Sequence, residues 1–110
     1  MSNNKDYPLL EFVIQMISEI EYVCEKHKGT SSALNDIEGK NAILMNLLQI
    51  GEKLNKISDE KIINLLPVKE AYSVRNRITH DYGGISPEIL EYIINNELPE
   101  LKQKIYGILK

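Results

Sequence analysis

The segment Arg75-Asn76-Arg77-Ile78-Thr79-His80-Asp81-Tyr82-Gly83-Gly84 combines a helical hydrophobic pattern with the most reactive side chains of the sequence. It contains the only two arginines of the chain and one of its two histidines. Ala71, Val74 and Ile78 recur at spacings of three and four, which predicts an amphipathic helix. The double glycine then offers the positive φ that commonly ends a helix. We therefore expect the segment to form the last turns of a helix that also contributes to the core.

Helical geometry indicates which of these side chains can act together. Tyr82 follows Arg75 by seven residues, so at about 100° per residue both project from nearly the same side. Asn76 and His80 are four residues apart and share a face. Arg75 and His80 are five residues apart, so their directions diverge by about 140°. One helix can hardly aim both at a single bond, whereas a cleft between two copies could combine them, which predicts a homodimer.

The residue types in this segment suit chemistry on a phosphodiester. Arg75 offers a charged, planar fork of donors that matches phosphate oxygens, and Arg77 is a further candidate for substrate binding. His80 can gain or lose a proton near neutral pH and could act as general base or acid. Asn76, one turn before it, could orient the imidazole or add a donor. RNA cleavage through its own 2′-hydroxyl needs only a base, an acid and charge stabilisation, so neither a metal nor another cofactor is required.

The same side chains also fit a structural role. An arginine and a histidine near the end of a helix commonly bind its free carbonyls and complement its dipole. On composition alone, this structural role is the more frequent one. Asp81 would also repel phosphate, although Arg77, four residues earlier, is placed to neutralise it.

Hydrophobic spacing predicts an all-α fold, with four main helices and a short fifth in an up-and-down bundle. We expect the main helices at about residues 7–28, 40–57, 67–82 and from 86 to the end, and the short helix from Ser58. Asp6 is placed to cap the first helix and Gly29 to end it. Residues 30–32 predict a loop, and residues 33–39 fit either a turn or a frayed helix.

Single residues in these helices carry further expectations. Pro99 should kink or break the last helix near Asn96. Gly51 indicates either the close approach of another helix or a tolerated weak position. Glu52 is placed to pair with Lys56 one turn later. His27, at the end of the first helix, favours a surface role that complements the helix dipole. The single cysteine, Cys24, lies in an apolar stripe and is expected to pack in the core.

Length and composition limit the remaining possibilities. A chain of 110 residues, 43% hydrophobic and 26% charged, fits one domain with its own core. The net charge of −3 gives no general attraction for nucleic acid, so we expect RNA contacts to be local to the arginines. No segment reaches the length of a membrane span, and the polar residues 1–6 do not resemble a signal peptide. A cytoplasmic location fits these features and the single cysteine.

Three motifs carry a resemblance to a known family. Arg75-Asn76-x-x-x-His80-x-Tyr82 resembles the signature of HEPN-domain ribonucleases, and most closely that of HepT-like toxins. Ile50-Gly51-Glu52-Lys53 resembles the Ile-Gly-Glu of their second long helix. Asn96-Glu97-Leu98-Pro99-Glu100-Leu101 resembles their C-terminal Asn-Asp-Leu-Pro-x-Leu. The motifs occur in the order of the family, and the resemblance covers roughly residues 8–109.

The resemblance implies a fold and an activity. It implies a single HEPN-like helical domain over residues 1–110 that dimerises, so that two motif helices line one cleft. It also implies a metal-independent endonuclease for RNA, such as single-stranded or tRNA-like RNA, with Arg75, His80 and Asn76 as catalytic residues. Such a protein is the toxin of a type VII-like toxin–antitoxin pair, whose antitoxin is a minimal nucleotidyltransferase, MntA in the best-matched pairs.

In HepT-like toxins, the nucleotidyltransferase partner transfers AMP to the tyrosine of the motif, which corresponds to Tyr82. The double glycine after Tyr82 also suggests that its hydroxyl is within reach of another active site. The alternative for Tyr82 is to stack on an RNA base. Two other functions stay open for the chain: a non-catalytic HEPN module that binds nucleotide or a partner protein, and a purely structural helical dimer. The presence of both Arg75 and His80 favours the ribonuclease over the binding module.

Overall fold

A computed structural model describes residues 4–110, which form helices and no strand. The fold is therefore all-α, as the hydrophobic spacing predicts. Residues 1–3, part of the polar N-terminus discussed above, lie outside the described residues. The helices are α1 (Tyr7–Lys26), α2 (Thr30–Asn35), α3 (Ile37–Leu54), α4 (Glu60–Leu65), α5 (Val68–His80), α6 (Pro87–Tyr92) and α7 (Leu98–Leu109), with a π-helical turn at Ile93–Glu97. Within residues 4–110, none of the helices has the length and apolar content that crossing a bilayer requires.

Helix α1 packs against α3, which is the central helix of the fold. Each of these helices buries apolar side chains spaced three or four residues apart, so the buried residues form one continuous stripe on each helix. The buried residues of these two stripes are Leu10, Val13, Met16, Ile17, Ile20 and Cys24 on α1, and Ile43, Leu44, Leu47, Ile50 and Leu54 on α3. Cys24 is buried as expected, and its burial raises the pKa of the thiol.

Helix α5 also packs against α3 and carries the reactive segment. Ile78 is its only fully buried side chain, and Ala71 and Val74 are partly buried against the core. A Cβ atom on Gly51 of α3 would lie 2.6 Å from both the Ala71 carbonyl oxygen and the Cβ of Arg75. Gly51 therefore marks a close approach of two helices, the first of its two predicted roles. Helix α5 contacts the core along a narrow stripe. Its polar side chains therefore remain partly or fully exposed to solvent.

Asp6 joins the beginning of α1 to the connection between α3 and α4. It occupies the N-cap position of α1 as predicted, but its side chain forms no capping bond there. Its buried carboxylate instead accepts hydrogen bonds from the backbone N–H groups of Ser58 and Asp59, the latter at 2.8 Å. The Ser58 hydroxyl adds a longer bond at 3.3 Å. A buried charge requires such partners, so Asp6 stabilises a contact between segments 52 residues apart in sequence.

The connection between α1 and α3 differs from the predicted loop. Helix α1 ends at Lys26, and positive φ values at Lys28 (65°) and Gly29 (143°) redirect the chain. Residues 30–35 then form α2, because burial of Ala33 and Leu34 outweighs the loop preference of the preceding polar residues. Helix α3 begins before the predicted Lys40. Asp36 caps it by accepting a 2.8 Å hydrogen bond from the N–H of Gly39.

His27 lies in this connection and is half-buried. Its Nε2 atom is 3.7 Å from the Asp36 carboxylate. The imidazole also lies 3.3 Å from the position that a Cβ on Gly39 would occupy. His27 therefore packs between the end of α1 and the beginning of α3.

The C-terminal helical stretch continues past Pro99 without a break, and the irregularity predicted near Asn96 is a π turn. Pro99 lacks an N–H and lies in the first turn of α7. The five residues before α7 form a π turn, in which the N–H of Leu98 donates to the carbonyl of Ile93. The longer turn changes the hydrogen-bond spacing just before the proline, so α6 and α7 remain one helical stretch.

Candidate functional site

The reactive segment leaves the helix earlier than predicted. Helix α5 ends at His80, and Asp81 follows it with φ −150°. The described residues have positive φ only at Lys28 and Gly29, so Gly83 and Gly84 do not end α5 through a positive φ. A Cβ atom at Gly84 would overlap the carboxylate of Asp81, an exposed side chain that would have to move aside. The chain therefore folds closely over Asp81, and the N–H of Gly84 donates to the Asp81 carbonyl at 2.9 Å.

Arg75 is held between α5 and α3. Its Nε and Nη2 atoms donate to one carboxylate oxygen of Glu52, at 3.2 and 3.0 Å. Its Nη1 atom donates to the side-chain oxygen of Asn76 at 2.9 Å. The guanidinium also lies 5.4 Å from the ring centre of Tyr72. Glu52 thus pairs with Arg75, and the predicted pair with Lys56 is wrong, because a tertiary neighbour is closer than the local one.

His80 lines an open cleft of about 250 Å³ at the end of α5. The cleft is lined by Ser73, Asn76, Arg77, His80, Asp81, Gly84 and Ile85. The side chains of Arg77 and His80 are exposed, so both are free to meet a ligand. The cleft is open to solvent, so one chain does not enclose a nucleotide there.

The cleft brings together three of the predicted site residues, Asn76, Arg77 and His80. Arg75 is not among the lining residues, which agrees with the divergence expected from helical geometry. Asn76 connects the two groups, because it lines the cleft and its side-chain oxygen accepts a bond from Arg75. Arg77 and Asp81 line the same cleft, but within residues 4–110 they form no ion pair, so the predicted neutralisation is absent. The cleft therefore combines one cation, one carboxylate and one imidazole.

Tyr82 lies beyond the end of α5, so the helical argument that placed it on the same side as Arg75 is wrong. Its side chain is 42% exposed, and its hydroxyl is 3.4 Å from the Asn41 carbonyl oxygen. Asn41 and Glu52 are separated by 11 residues of α3, about 16 Å at 1.5 Å per residue. The Tyr82 hydroxyl and the Arg75 guanidinium thus lie beside different parts of α3.

Sequence reasoning did not identify Glu52 as a partner of Arg75. The available signal was its place after Gly51, since a glycine at a helix contact positions the following residue beside the neighbouring helix. Within residues 4–110, no cluster of three or more His, Cys, Asp or Glu side chains is arranged to bind a metal ion.

Comparisons with known proteins give the chain its family. The profile of the family described as “Ribonuclease HepT-like” matches residues 13–108. A protein of Caldanaerobacter subterraneus subsp. tengcongensis named “Putative RNase TTE0752” is 30% identical over 107 residues, which cover 94% of this chain and 93% of that protein. No solved structure matches the chain significantly. The family profile covers most of the chain, including both helices that hold the Arg75–Glu52 pair, and the chain therefore belongs to the HepT-like ribonucleases.

Proposed function

We propose that the protein is a metal-independent RNA endonuclease and the toxin of a type VII-like toxin–antitoxin pair. The observation that carries the proposal is the arrangement of Asn76, Arg77 and His80 around one open cleft, with Arg75 bonded to Asn76 beside it. Family membership adds support, because the family is one of ribonucleases. The substrate class is RNA, and single-stranded or tRNA-like RNA suits an open cleft best.

The proposed reaction uses the 2′-hydroxyl of the RNA as its nucleophile. His80 takes the proton of this hydroxyl, and the oxygen attacks the adjacent phosphorus. The charge that develops on the phosphorane is stabilised by the guanidinium of Arg75, while Arg77 binds a neighbouring phosphate. The bond to the 5′-oxygen breaks, and an imidazolium protonates the leaving oxygen. The products are a 2′,3′-cyclic phosphate and a free 5′-hydroxyl.

The separate acid and base suggest two protomers. One imidazole cannot hold the proton taken from the 2′-hydroxyl and deliver another in the same step, so His80 of a second protomer supplies the acid. The surface beside the motif supports such pairing. Ile89 and Tyr92 are 41% and 60% exposed, and they line an open depression with Ser73 and Val74 of α5. We therefore propose a homodimer in which two copies of α5 lie along the seam.

The proposed control of the toxin is a modification of Tyr82. A minimal nucleotidyltransferase antitoxin would use ATP, with the Tyr82 oxygen attacking the α-phosphate and pyrophosphate leaving. The exposure of Tyr82 and its position just after the cleft residues His80 and Asp81 support this site. The added AMP places a bulky anion beside the exit of the cleft, where it opposes the approach of an RNA phosphate.

The test is cleavage of end-labelled RNA in EDTA by purified protein. Wild type is expected to cut, and His80→Ala and Arg75→Ala are expected to lose about 10²–10⁴-fold in rate. His27→Gln serves as the control, because it changes the other histidine of the chain. Equal cleavage by all four proteins would indicate a contaminating nuclease, and absence of cleavage by wild type on any RNA would favour a non-catalytic binding module.

A further inference from the structure

The Arg75–Glu52 pair leaves part of the guanidinium free. A guanidinium has five N–H donors, and those of Arg75 engage in three recorded bonds, two to Glu52 and one to Asn76. One N–H on each terminal nitrogen therefore remains for a ligand. Both bonds to Glu52 end on the same carboxylate oxygen, so the glutamate engages the Nε–Nη2 edge of the guanidinium and no other.

The backbone of α3 is shaped for this contact. Gly51 lets α5 approach so closely that a Cβ atom would meet the Ala71 carbonyl oxygen and the Cβ of Arg75 at 2.6 Å. Glu52 follows Gly51 in the sequence. Because the two helices are close at this point, its carboxylate lies 3.0 Å from Nη2 of Arg75. The side chains of Arg75 and Glu52 are 26% and 33% exposed, so water reaches the pair only in part. The arginine stem is thereby fixed over the interface between two helices.

We propose that Glu52 is a positioning residue of the ribonuclease site and acts through Arg75. It fixes the guanidinium before RNA binds, so that the two free N–H groups face the phosphorane. This inference rests on the proposed function. A carboxylate beside the phosphate site also weakens the attraction for RNA, so Glu52 improves the chemical step at some cost in binding. These opposite effects separate positioning from a purely structural contact.

Kinetics of Glu52 variants test the inference. Glu52→Ala is expected to lower kcat by about 10- to 100-fold, because misplacement of a catalytic group by about 1 Å has effects of that size. KM should stay the same or fall, because the variant removes a negative charge beside the site. Glu52→Gln keeps one acceptor oxygen and should lie between wild type and Glu52→Ala. The control is Glu38→Gln, which changes an exposed glutamate at the beginning of the same helix.

A double variant tests whether Glu52 acts through Arg75. In the Arg75→Ala background, a further Glu52→Gln change is expected to leave kcat unchanged, because there is no guanidinium left to orient. Thermal unfolding of each variant shows that it remains folded. An unchanged or higher kcat for Glu52→Ala in the folded wild-type background would overturn the inference, as would a full additional loss in the double variant.

A measurement without RNA separates this inference from the proposed function. The two arginines give two Nε–H signals in a ¹⁵N NMR spectrum, and Arg77→Lys leaves only the Arg75 signal. We expect this signal to shift and to exchange faster with water in Glu52→Gln, and to be unaffected in Glu38→Gln. If neither the shift nor the exchange rate of this signal changes in Glu52→Gln, the positioning inference alone would be overturned. A signal that depends on Glu52 in a protein that cleaves no RNA would instead overturn the proposed function and, with it, the catalytic effect of Glu52.

Discussion

The side-chain oxygen of Asn76 accepts a hydrogen bond from Nη1 of Arg75 at 2.9 Å, and Asn76 also lines the cleft that contains His80. This one side chain therefore connects two groups that a single helix directs apart. The hydrogen bond between Arg75 and Asn76 lies within α5. The ion pair with Glu52 holds Arg75 against α3. The site is consequently sensitive to both helices and to the distance between them.

Asn76→Ala should reduce cleavage without preventing it. The variant removes the hydrogen bond that aligns Arg75 along α5, and misplacement of a catalytic group by about 1 Å typically lowers kcat by about 10- to 100-fold. Asn76→Ser would test whether a small polar group can replace the amide. Single-turnover cleavage of labelled RNA gives the rate. A variant as fast as wild type would show that Arg75 is aligned without Asn76.

Gly51→Ala should weaken the contact between α3 and α5. Its Cβ would meet backbone and Cβ atoms at 2.6 Å, so the helices must move apart. Overpacking of this kind costs about 1–3 kcal/mol. The matched control is Gly107→Ala in α7, where a Cβ would meet no atom within 4 Å and should be neutral or slightly stabilising. Thermal unfolding measures both variants, and equal Tm values would contradict the proposed close contact.

Asp6→Ala should destabilise the fold although Asp6 lies far from the cleft. The change leaves the N–H groups of Ser58 and Asp59 without their acceptor, and bonds to a charged group contribute about 1.5–3 kcal/mol each. We expect a loss of about 2–4 kcal/mol in urea unfolding. Glu11→Ala, an exposed acid on α1, serves as the control. A similar stability for the two variants would mean that the Asp6 contact contributes little.

The proposed homodimer should depend on the depression beside α5 that Ile89 and Tyr92 line. Light scattering at micromolar concentration is expected to give twice the mass of the 12.6 kDa chain for wild type. Ile89→Asp places a charge on that surface and should shift the protein towards the monomer. Ile37→Asp changes an even more exposed isoleucine, 79% accessible, at the beginning of α3 and should leave the mass unchanged. A monomeric wild-type protein would contradict the dimer.

Modification of Tyr82 should be visible as a change in intact mass. After incubation with the cognate nucleotidyltransferase and ATP, wild type should gain the mass of an AMP group and stop cleaving RNA. Tyr82→Phe should gain none, because it lacks the hydroxyl that attacks the α-phosphate. Tyr106→Phe removes another exposed tyrosine hydroxyl and should behave as wild type. An equal gain in Tyr82→Phe would assign the modification to a different residue.

The sequence predicts what depends on local periodicity. The apolar spacing in α1, α3 and α5 identifies the helices and their buried faces, including Cys24 and Ile78, because core burial follows the helical repeat. The divergence of Arg75 from the cleft of His80 also follows from helical geometry alone. Of the residues that line the cleft, helical geometry groups Asn76 and His80, which are four residues apart.

The remaining features depend on contacts between distant segments. The Asp6 carboxylate and the backbone of Ser58 meet only after α1 and α3 have packed. Glu52 has Lys56 one turn away, and apart from its place after Gly51 nothing in the sequence indicates that Arg75 is the nearer partner. Helix α5 ends two residues before Tyr82, while Gly84 lies close to the Asp81 side chain. Local preferences could not reveal these features, because each of them depends on a tertiary neighbour.

The π turn at Ile93–Glu97 determines which side of α7 faces the core. A π turn contains about one residue more than the α turn it replaces, and one residue corresponds to about 100° of rotation. If the same residues formed a regular α-helix with none deleted, α7 would be turned by about that angle relative to α6. Leu101 and Ile105 would then leave the core and face water. The irregular turn thus acts as an angular spacer, which lets one uninterrupted helical stretch satisfy two differently oriented parts of the core.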